Sequence, residues 1–389
     1  LDDNCRGGDA KPRRLALGAT PIAAEPSPVN LLLITIDALR ADHTTPYGYT
    51  RDTTPSLSRL ASSALRFESA YANGGWTCIS LPSLLSGTLP RFLGYRRWAR
   101  REIANTDDYE LVPFDQNNPQ SGLIYSLPDK LDWTVQGALS QRGMRTMAVV
   151  QRGIYPLALH MRQGWDELLT AERDSDASLT VLAKQRILAA GAQPFFLWVH
   201  YFNPHDRRSD PKTPGILQAR YDARIEATDA AVGELLAFVD ALASRPTAVI
   251  VSGDHGEVLD DPYQFHGSDL LYDSIRVPLL VRAREQQPGR VRTPASLIDI
   301  APTLIALSGS AIPEGLDGAD LRALPPQRSV VSDLWRYAAN GALSIDQIAV
   351  SNLEYRLTLD RLTNALSLTA AAHGARPPKY LPRSRTPPA

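Results

Sequence analysis

Two cysteines in 389 residues, Cys5 and Cys78, rule out a disulfide framework. A single bridge between them is not expected either, because Cys5 lies in a polar leading segment and Cys78 in a candidate active-site turn. No apolar run approaches the roughly 18 to 20 residues that a membrane-crossing helix needs. Charge of one sign is also missing. Lys plus Arg number 41 against 42 Asp plus Glu, a formal net charge of -1. Nothing therefore pulls the whole chain toward nucleic acid or an anionic membrane, and nucleic acid is not an expected partner. The run Arg96-Arg97-Trp98-Ala99-Arg100-Arg101 reads as a local, solvated basic patch. Internal repeats are absent. The chain opens on Leu1 rather than Met, so a processed or truncated form is expected, with room for an upstream signal or membrane anchor.

What is present is an ordinary globular composition, 43% hydrophobic and 21% charged. The length suits one large α/β domain or two smaller ones. Unbroken apolar runs at Leu31–Ile36, Met147–Val150, Phe195–Val199, Ala248–Val251 and Val277–Val281 predict strands buried on both faces, as in a parallel sheet. Helical periodicity occupies Pro55–Ala64, Leu81–Ser86, Leu131–Arg142, Ala177–Ala190, Arg220–Ala243 and Ala301–Leu307. The alternation predicts a layered α/β fold. Residues 1–28 read as a linker. Residues 29–328 read as the catalytic unit, with a polar, aperiodic insertion at 91–130 that suits a wall or lid as well as a plain surface loop. Residues 329–372 alternate like a small antiparallel β subdomain, and 373–389 read as a disordered tail.

Three strand ends carry chemistry. Asp37 closes the first apolar run, His200 the third, and Asp254-His255 the fourth. In parallel sheets, functional groups collect at the carboxyl ends of strands. Gly75-Trp76-Thr77-Cys78 is a small-residue turn leading into a helix, whose start is signalled by Ser80-Leu81-Pro82. A carboxylate, a hydroxyl and an Asp-His pair can converge on one divalent cation. Singly, each has an ordinary reading: a cap for Asp37 or Thr77, a turn for Asp254-His255-Gly256, a satisfied loop histidine for His266. His43 and His160 read as structural, Trp76 as a packing wall, and Tyr221-Asp222 as the packed or capping start of a helix.

In order along the chain, several motifs resemble the sulfatase branch of the alkaline phosphatase superfamily. They are Asn30 through His43 with Tyr47-Gly48-Tyr49 and Thr54-Pro55, then Phe195 through His205, then Ser252-Gly253-Asp254-His255-Gly256-Glu257 with Phe265-His266-Gly267 and Arg276-Val277-Pro278-Leu279-Leu280, then Asp299-Ile300-Ala301-Pro302-Thr303-Leu304 and Leu316-Asp317-Gly318. The nucleophile segment departs from that pattern. Formylglycine enzymes of the branch carry Cys-x-Pro-x-Arg (or Ser for Cys) ahead of a Ser-Leu-Leu-Thr-Gly-like helix. Here the helix reads Ser83-Leu84-Leu85-Ser86-Gly87, which puts Thr77 at the nucleophile and Ile79 and Leu81 at the Pro and Arg positions. Moving the register to Cys78 puts Ser80 and Pro82 there instead. Formylglycine is therefore not expected. Thr77 resembles the threonine of phosphoethanolamine transferases and lipoteichoic acid synthases, which work through a phosphorylated threonine and one dominant metal.

The resemblance implies an alkaline phosphatase-like three-layer sandwich, with a mostly parallel central sheet and a small C-terminal antiparallel subdomain. It implies metal ligands Asp37, Thr77, Asp254 and His255, catalytic residues Thr77, His205 and His266, and substrate contacts His205 and His266. Two further substrate contacts come from the residues themselves: Arg40 suits a bidentate clamp on a sulfate or phosphate as well as a solvent-facing place on the first helix, and His200, at a strand end, suits the site as well as the core. Ala38 stands where a further acidic ligand is common, which favours Mn²⁺ or Zn²⁺ over Ca²⁺ or Mg²⁺. The expected activity is metal-dependent cleavage of a phosphate, phosphonate or sulfate ester by a Thr nucleophile, as hydrolase or transferase. The alternatives are an ordinary sulfuric ester hydrolase and a non-catalytic binder of anionic glycans or lipid headgroups. The expected partner is a small-molecule, lipid or glycan oxyanion ester. The expected location is extracytoplasmic, periplasmic or membrane-anchored.

Overall fold

The computed structural model describes residues 27–102, 109–113, 124–128, 131–171, 175–205, 213–242, 245–259, 266–338 and 340–370. Cys5, Phe265, most of the expected linker and the expected tail lie outside them. The apolar runs do form buried strands. Every residue of β1 (Asn30–Ile36) and β2 (Phe195–Tyr201) is buried, as is β3 (Thr247–Gly253) after its first residue. They lie at the centre of an eight-stranded sheet. Its order is Gly289–Val291, Leu65–Phe67, Leu279–Arg282, β3, β1, β2, Arg145–Val150, Glu167–Thr170. From β3 to Glu167–Thr170 all neighbours are parallel. Leu279–Arg282 runs antiparallel to both its neighbours.

The two-residue period of a strand sends alternate side chains to opposite faces. Leu31 and Leu33 join one core, against the helices Thr77–Ser86, Val135–Gln141 and Ile300–Leu307. Leu32, Ile34 and Ile36 join the other, against Pro55–Ala61, Asp176–Ala190 and Pro214–Asp240. This is the expected three-layer α/β arrangement.

Four local expectations change. The Val277–Val281 run is two strands, Arg276–Val277 and Leu279–Arg282, because Pro278 has no N–H to give a ladder. The Thr77–Ser86 helix begins a turn earlier than its Ser-Leu-Pro signal, with Pro82 inside it. The insertion is not aperiodic: Tyr95–Glu102 pairs antiparallel with Tyr109–Pro113 on one side and Ile124–Pro128 on the other. The basic run is thus a central strand of that small sheet rather than a solvated loop. Tyr221 and Asp222 sit well inside the Pro214–Asp240 helix, not at its start.

At the C-terminal end, Val330–Tyr337, Leu343–Ser351, Tyr355–Asp360 and Ala365–Ala370 form a four-stranded antiparallel sheet. Its first strand is tied to the chain just before Thr77. Asp333 N–H donates to Asn73 O at 2.8 Å, Ser332 Oγ to Ala72 O at 2.6 Å, and Asn73 Nδ2 to Val331 O at 3.1 Å. Arg91 adds an ion pair to each of Asp333 and Asp346, both at 2.6 Å.

Candidate active site

The central strand β1 lies between β2 and β3, with Ile36 opposite both Tyr201 and Gly253. The residues that follow therefore emerge side by side. Asp37 N–H donates to Tyr201 O at 2.9 Å, and Asp254 N–H to Ile36 O at 3.3 Å. The chain then turns sharply at Ala38, whose φ of 58° is left-handed. For a residue with a Cβ this costs about 1–2 kcal/mol. Hydrogen bonds on both sides hold it: Ala38 N–H donates to Asp254 Oδ1 at 3.1 Å, and Tyr221 Oη to Ala38 O at 2.5 Å. Tyr221 also accepts Arg40 N–H at 3.0 Å. The neighbouring Asp222 takes His43 Nδ1 at 2.8 Å and Tyr49 Oη at 2.7 Å, so His43 is a structural histidine.

Gly256 fixes the Asp254-His255 side. Its N–H donates to Ser274 O at 2.8 Å, and a Cβ there would lie 1.8 Å from Asp273 O. Gly256→Ala is expected to destabilise the protein by about 3 kcal/mol or more, since backbone must move. A denaturant melt checks this; an unchanged midpoint would refute the close approach.

Within the cluster, Thr77 Oγ1 lies 3.0 Å from His255 Nε2 and 3.5 Å from Asp37 Oδ2. His255 Nδ1 faces Gly256 O at 2.7 Å. A carbonyl only accepts, so Nδ1 carries a hydrogen and Nε2 is the atom turned to the carboxylates. It lies 3.3 Å from Asp37 Oδ1 and 3.6 Å from Asp254 Oδ2. Neither oxygen has a hydrogen bond, although both are buried. Leaving two carboxylate oxygens without partners in a core is costly, and a cation between them would relieve it. Asp37, His200 and Asp254 each offer a ligand atom within 4.8 Å of the others. The donor set of carboxylates and imidazoles fits a divalent metal ion.

His200 thus lies beside Asp37 and Asp254. Its Nε2 is 3.3 Å from Asp37 Oδ2, and its Nδ1 is 2.7 Å from Thr35 Oγ1. Thr35 in turn accepts from Trp198 Nε1 at 2.8 Å. The chain Trp198–Thr35–His200 fixes the imidazole against the Asp37 carboxylate.

Electrostatics divide these groups. Burial opposes the Asp37 charge, but the imidazoles of His205, His200 and His255 more than offset it and hold its pKa well below the usual range. Burial, then the charge of Asp37, raises Asp254. For His255 burial disfavours the cation, yet Asp254 and Asp37 outweigh it and raise the pKa to about 9. Burial lowers His205 to about 4, so its imidazole is neutral at neutral pH.

The second histidine pair adjoins the first group. The His266 ring lies 4.5 Å from His255 and 4.7 Å from His205. His266 Nδ1 is 3.1 Å from Glu257 Oε2, and its N–H donates to Glu257 Oε1 at 2.9 Å. Glu257 was not among the expected site residues, although it stands two places after His255. Arg40 is not at the cluster. Its buried guanidinium pairs with Asp42 at 2.8 Å and Asp273 at 3.0 Å and donates to Glu257 O at 3.0 Å. It braces these loops and is fully buried. Cys78 is buried and free, and burial, then the Asp37 charge, pushes its thiol well up, away from a reactive thiolate. Trp76 stacks on Tyr125 with centroids 5.4 Å apart.

A family model described as Sulfatase matches residues 29–310. The Ulvan-active sulfatase of Formosa agariphila is 40% identical over 110 residues, 27% of this chain and 22% of that protein. The Steryl-sulfatase of Mus musculus is 34% identical over 200 residues, 44% of this chain and 32% of that protein. The chain thus aligns with about a third or less of each of these curated relatives. Among solved structures, a 2-O GAG sulfatase superposes with a TM-score of 0.66 at 18% identity, covering 87% of this chain and 84% of that one. A phosphonate monoester hydrolase from Silicibacter pomeroyi superposes with a TM-score of 0.65 at 16% identity, covering 90% of each chain.

Proposed function

The chain belongs to the sulfatase family, hydrolases of the alkaline phosphatase superfamily, and from that membership we propose that it hydrolyses sulfate esters with Thr77 as nucleophile. The observation that carries this is the position of Thr77 Oγ1, 3.0 Å from an imidazole nitrogen and beside the Asp37 carboxylate, at the first residue of a helix. Family membership moves the substrate class toward sulfate; the residue at the nucleophile position supports threonine over formylglycine.

Asp37, Asp254, His255 and Thr77 would hold one divalent ion, Mn²⁺ or Zn²⁺, with His200 orienting Asp37. When bound, that ion lowers the pKa of the threonine hydroxyl and polarises the ester oxygens. Thr77 Oγ1, its proton given up to solvent, attacks sulfur, and the S–O bond to the alcohol breaks. His266, held by Glu257, gives the departing alkoxide its proton. Water then attacks the sulfur of the Thr77 sulfate ester, which releases sulfate and restores the hydroxyl. The helix start favours the negative charge that builds in both steps. His205, neutral at neutral pH, offers a hydrogen bond to an ester oxygen or a site for the proton of the attacking water.

His266→Ala is expected to lower kcat/KM about 100-fold or more on alkyl sulfates and far less on 4-nitrophenyl sulfate, whose leaving group needs no acid. Equal losses on the two substrates would remove His266 from the general-acid role.

A threonine ester is also a sound intermediate for phosphoryl chemistry, and Ile79 and Leu81 at the formylglycine-signal positions favour a second reading: cleavage of phosphonate monoesters or phosphodiesters, or transfer from them. A panel of matched aryl sulfate, phosphate monoester, phosphodiester and phosphonate, with Mn²⁺ or Zn²⁺ supplied, decides between them. The sulfate reading requires the highest kcat/KM on the sulfate; a tenfold advantage for a phosphorus ester would replace it. Mass analysis of the peptide holding Thr77 and Cys78 should find unmodified Cys78, and formylglycine there would displace Thr77.

A further inference from the structure

Among the described residues, Arg336 is a half-buried cation beside the Thr77 segment that no carboxylate answers. It lies on the strand Val330–Tyr337, outside the stretch that matches the family. Its guanidinium stands 5.2 Å from the ring centroid of Trp76, the residue before Thr77, and its Nη1 donates to Gly267 O at 3.2 Å, the residue after His266. The neighbouring arginines are used differently. Arg40 pairs with Asp42 and Asp273, Arg91 with Asp333 and Asp346, and Arg328 with Asp299. Among the described residues Arg336 makes no such pair, and burial pushes its pKa down rather than a partner pushing it up. A guanidinium left with most of its five donors open at the edge of a site is an anion receptor.

Exposure indicates which part of a substrate it would meet. Asp37, Asp254 and His255 are fully buried, Thr77 is 3% exposed, Trp76 and His266 are 9% exposed, and Arg336 is exposed further still. The site therefore runs from a buried carboxylate-imidazole end to a partly open arginine end. The group being transferred must reach Thr77 at the buried end. Arg336 lies beyond Trp76, on the open side.

We propose that Arg336 forms a subsite for a second anionic group, a carboxylate or a further sulfate carried by the alcohol portion of the ester, so that this enzyme prefers polyanionic substrates such as acidic saccharide sulfates. The proposal rests on the hydrolase reading of Thr77. Arg336 is a specificity residue here: it acts on the leaving portion and takes no part in bond cleavage.

The test compares phenyl sulfate with 3-carboxyphenyl sulfate and with phenyl 1,3-disulfate, for wild type, Arg336→Gln and Arg336→Lys. Wild type is expected to favour both dianions over phenyl sulfate in kcat/KM, by roughly tenfold for one charge-assisted bidentate contact. Arg336→Gln should bring that ratio close to one, chiefly through KM, and Arg336→Lys should keep part of it. A merely structural arginine would lower all three substrates together and leave the ratio alone, which would overturn the proposal. So would a wild-type enzyme that does not favour the dianions. A ratio that falls for one dianion only identifies which anion the subsite takes. Calorimetric titration of the same three compounds into Thr77→Ala and Thr77→Ala/Arg336→Gln separates this from the chemistry. Arg336-dependent binding without turnover by wild type would sink the hydrolase reading and keep the subsite. Absence of any Arg336-dependent binding would sink the subsite.

Discussion

Thr77→Ala is expected to lower kcat/KM by about 1,000-fold or more on any ester the wild-type protein turns over. The substitution removes one hydroxyl from a residue at a helix start and leaves Asp37, Asp254 and His255 in place. The fold should tolerate it, because the helix cap is Trp76 rather than Thr77 and alanine is a better helix former. Its melting temperature is expected within a few degrees of wild type. Thr77→Ser should recover most of the activity, since it keeps the oxygen and loses only a methyl group. A Thr77→Ala protein with full activity would end the nucleophile assignment. A fall of tenfold or less would make Thr77 a positioning residue, with water attacking directly. Trapping settles the same point covalently: quenched turnover should leave a sulfate, or a phosphoryl group, on the Thr77 peptide.

Asp37→Asn should be at least as damaging to activity, and metal removal should mimic it. Asp37 is the one carboxylate approached by Thr77, His200 and His255 together. The variant is expected to lose both turnover and the rise in melting temperature that Mn²⁺ or Zn²⁺ gives wild type. If the variant keeps that rise in full, the ion is held elsewhere. The pH dependence follows from His255. In the chelated protein its folded pKa is raised, from the ordinary 6.5 to about 9, by neighbouring carboxylates. Its contribution to stability is therefore fully present below about pH 6.5 and is lost as pH rises through about 9. Metal binding should show the reverse slope. A cation facing Nε2 must displace the imidazolium proton, so affinity should grow by up to tenfold per pH unit across the same interval. Melting curves with chelator and with Zn²⁺, from pH 6 to pH 9.5, test both slopes. A flat metal affinity would mean that His255 Nε2 is not a ligand.

The central part of this fold is written plainly in the chain. Strands flanked by parallel neighbours and covered on both faces must be apolar throughout, so β1, β2 and β3 read as unbroken runs. Their carboxyl ends then locate Asp37, His200 and Asp254. The short strands Leu65–Phe67, Glu167–Thr170 and Gly289–Val291 are too brief and too mixed to leave such a trace. Arg40 misleads for a definite reason. It is three residues from Asp37, but the left-handed turn at Ala38 sends the chain away from the cluster, toward Asp42 and Asp273. His200 shows the opposite effect. Its place at a strand end leaves open whether it faces the site or the core, whereas the structure puts it opposite Thr35 and brings its imidazole to Asp37. Glu257 had a signal, its place directly after Asp254-His255-Gly256. Arg336 had none, since only tertiary structure brings the C-terminal sheet to Trp76.

The hydrogen bonds that join Val331, Ser332 and Asp333 with Ala72 and Asn73 tie that sheet to the turn before Thr77. The stretch that the family model matches ends at residue 310, yet the turn before Thr77 is pinned by residues past it. Shortening the chain before Val330 would therefore not yield a smaller working catalyst. A lineage could exchange this C-terminal sheet for another only if the replacement also presented three backbone or hydroxyl partners to the same turn. Such coupling makes the C-terminal sheet a support of the segment that opens the Thr77–Ser86 helix, so a change in that sheet reaches the turn before Thr77.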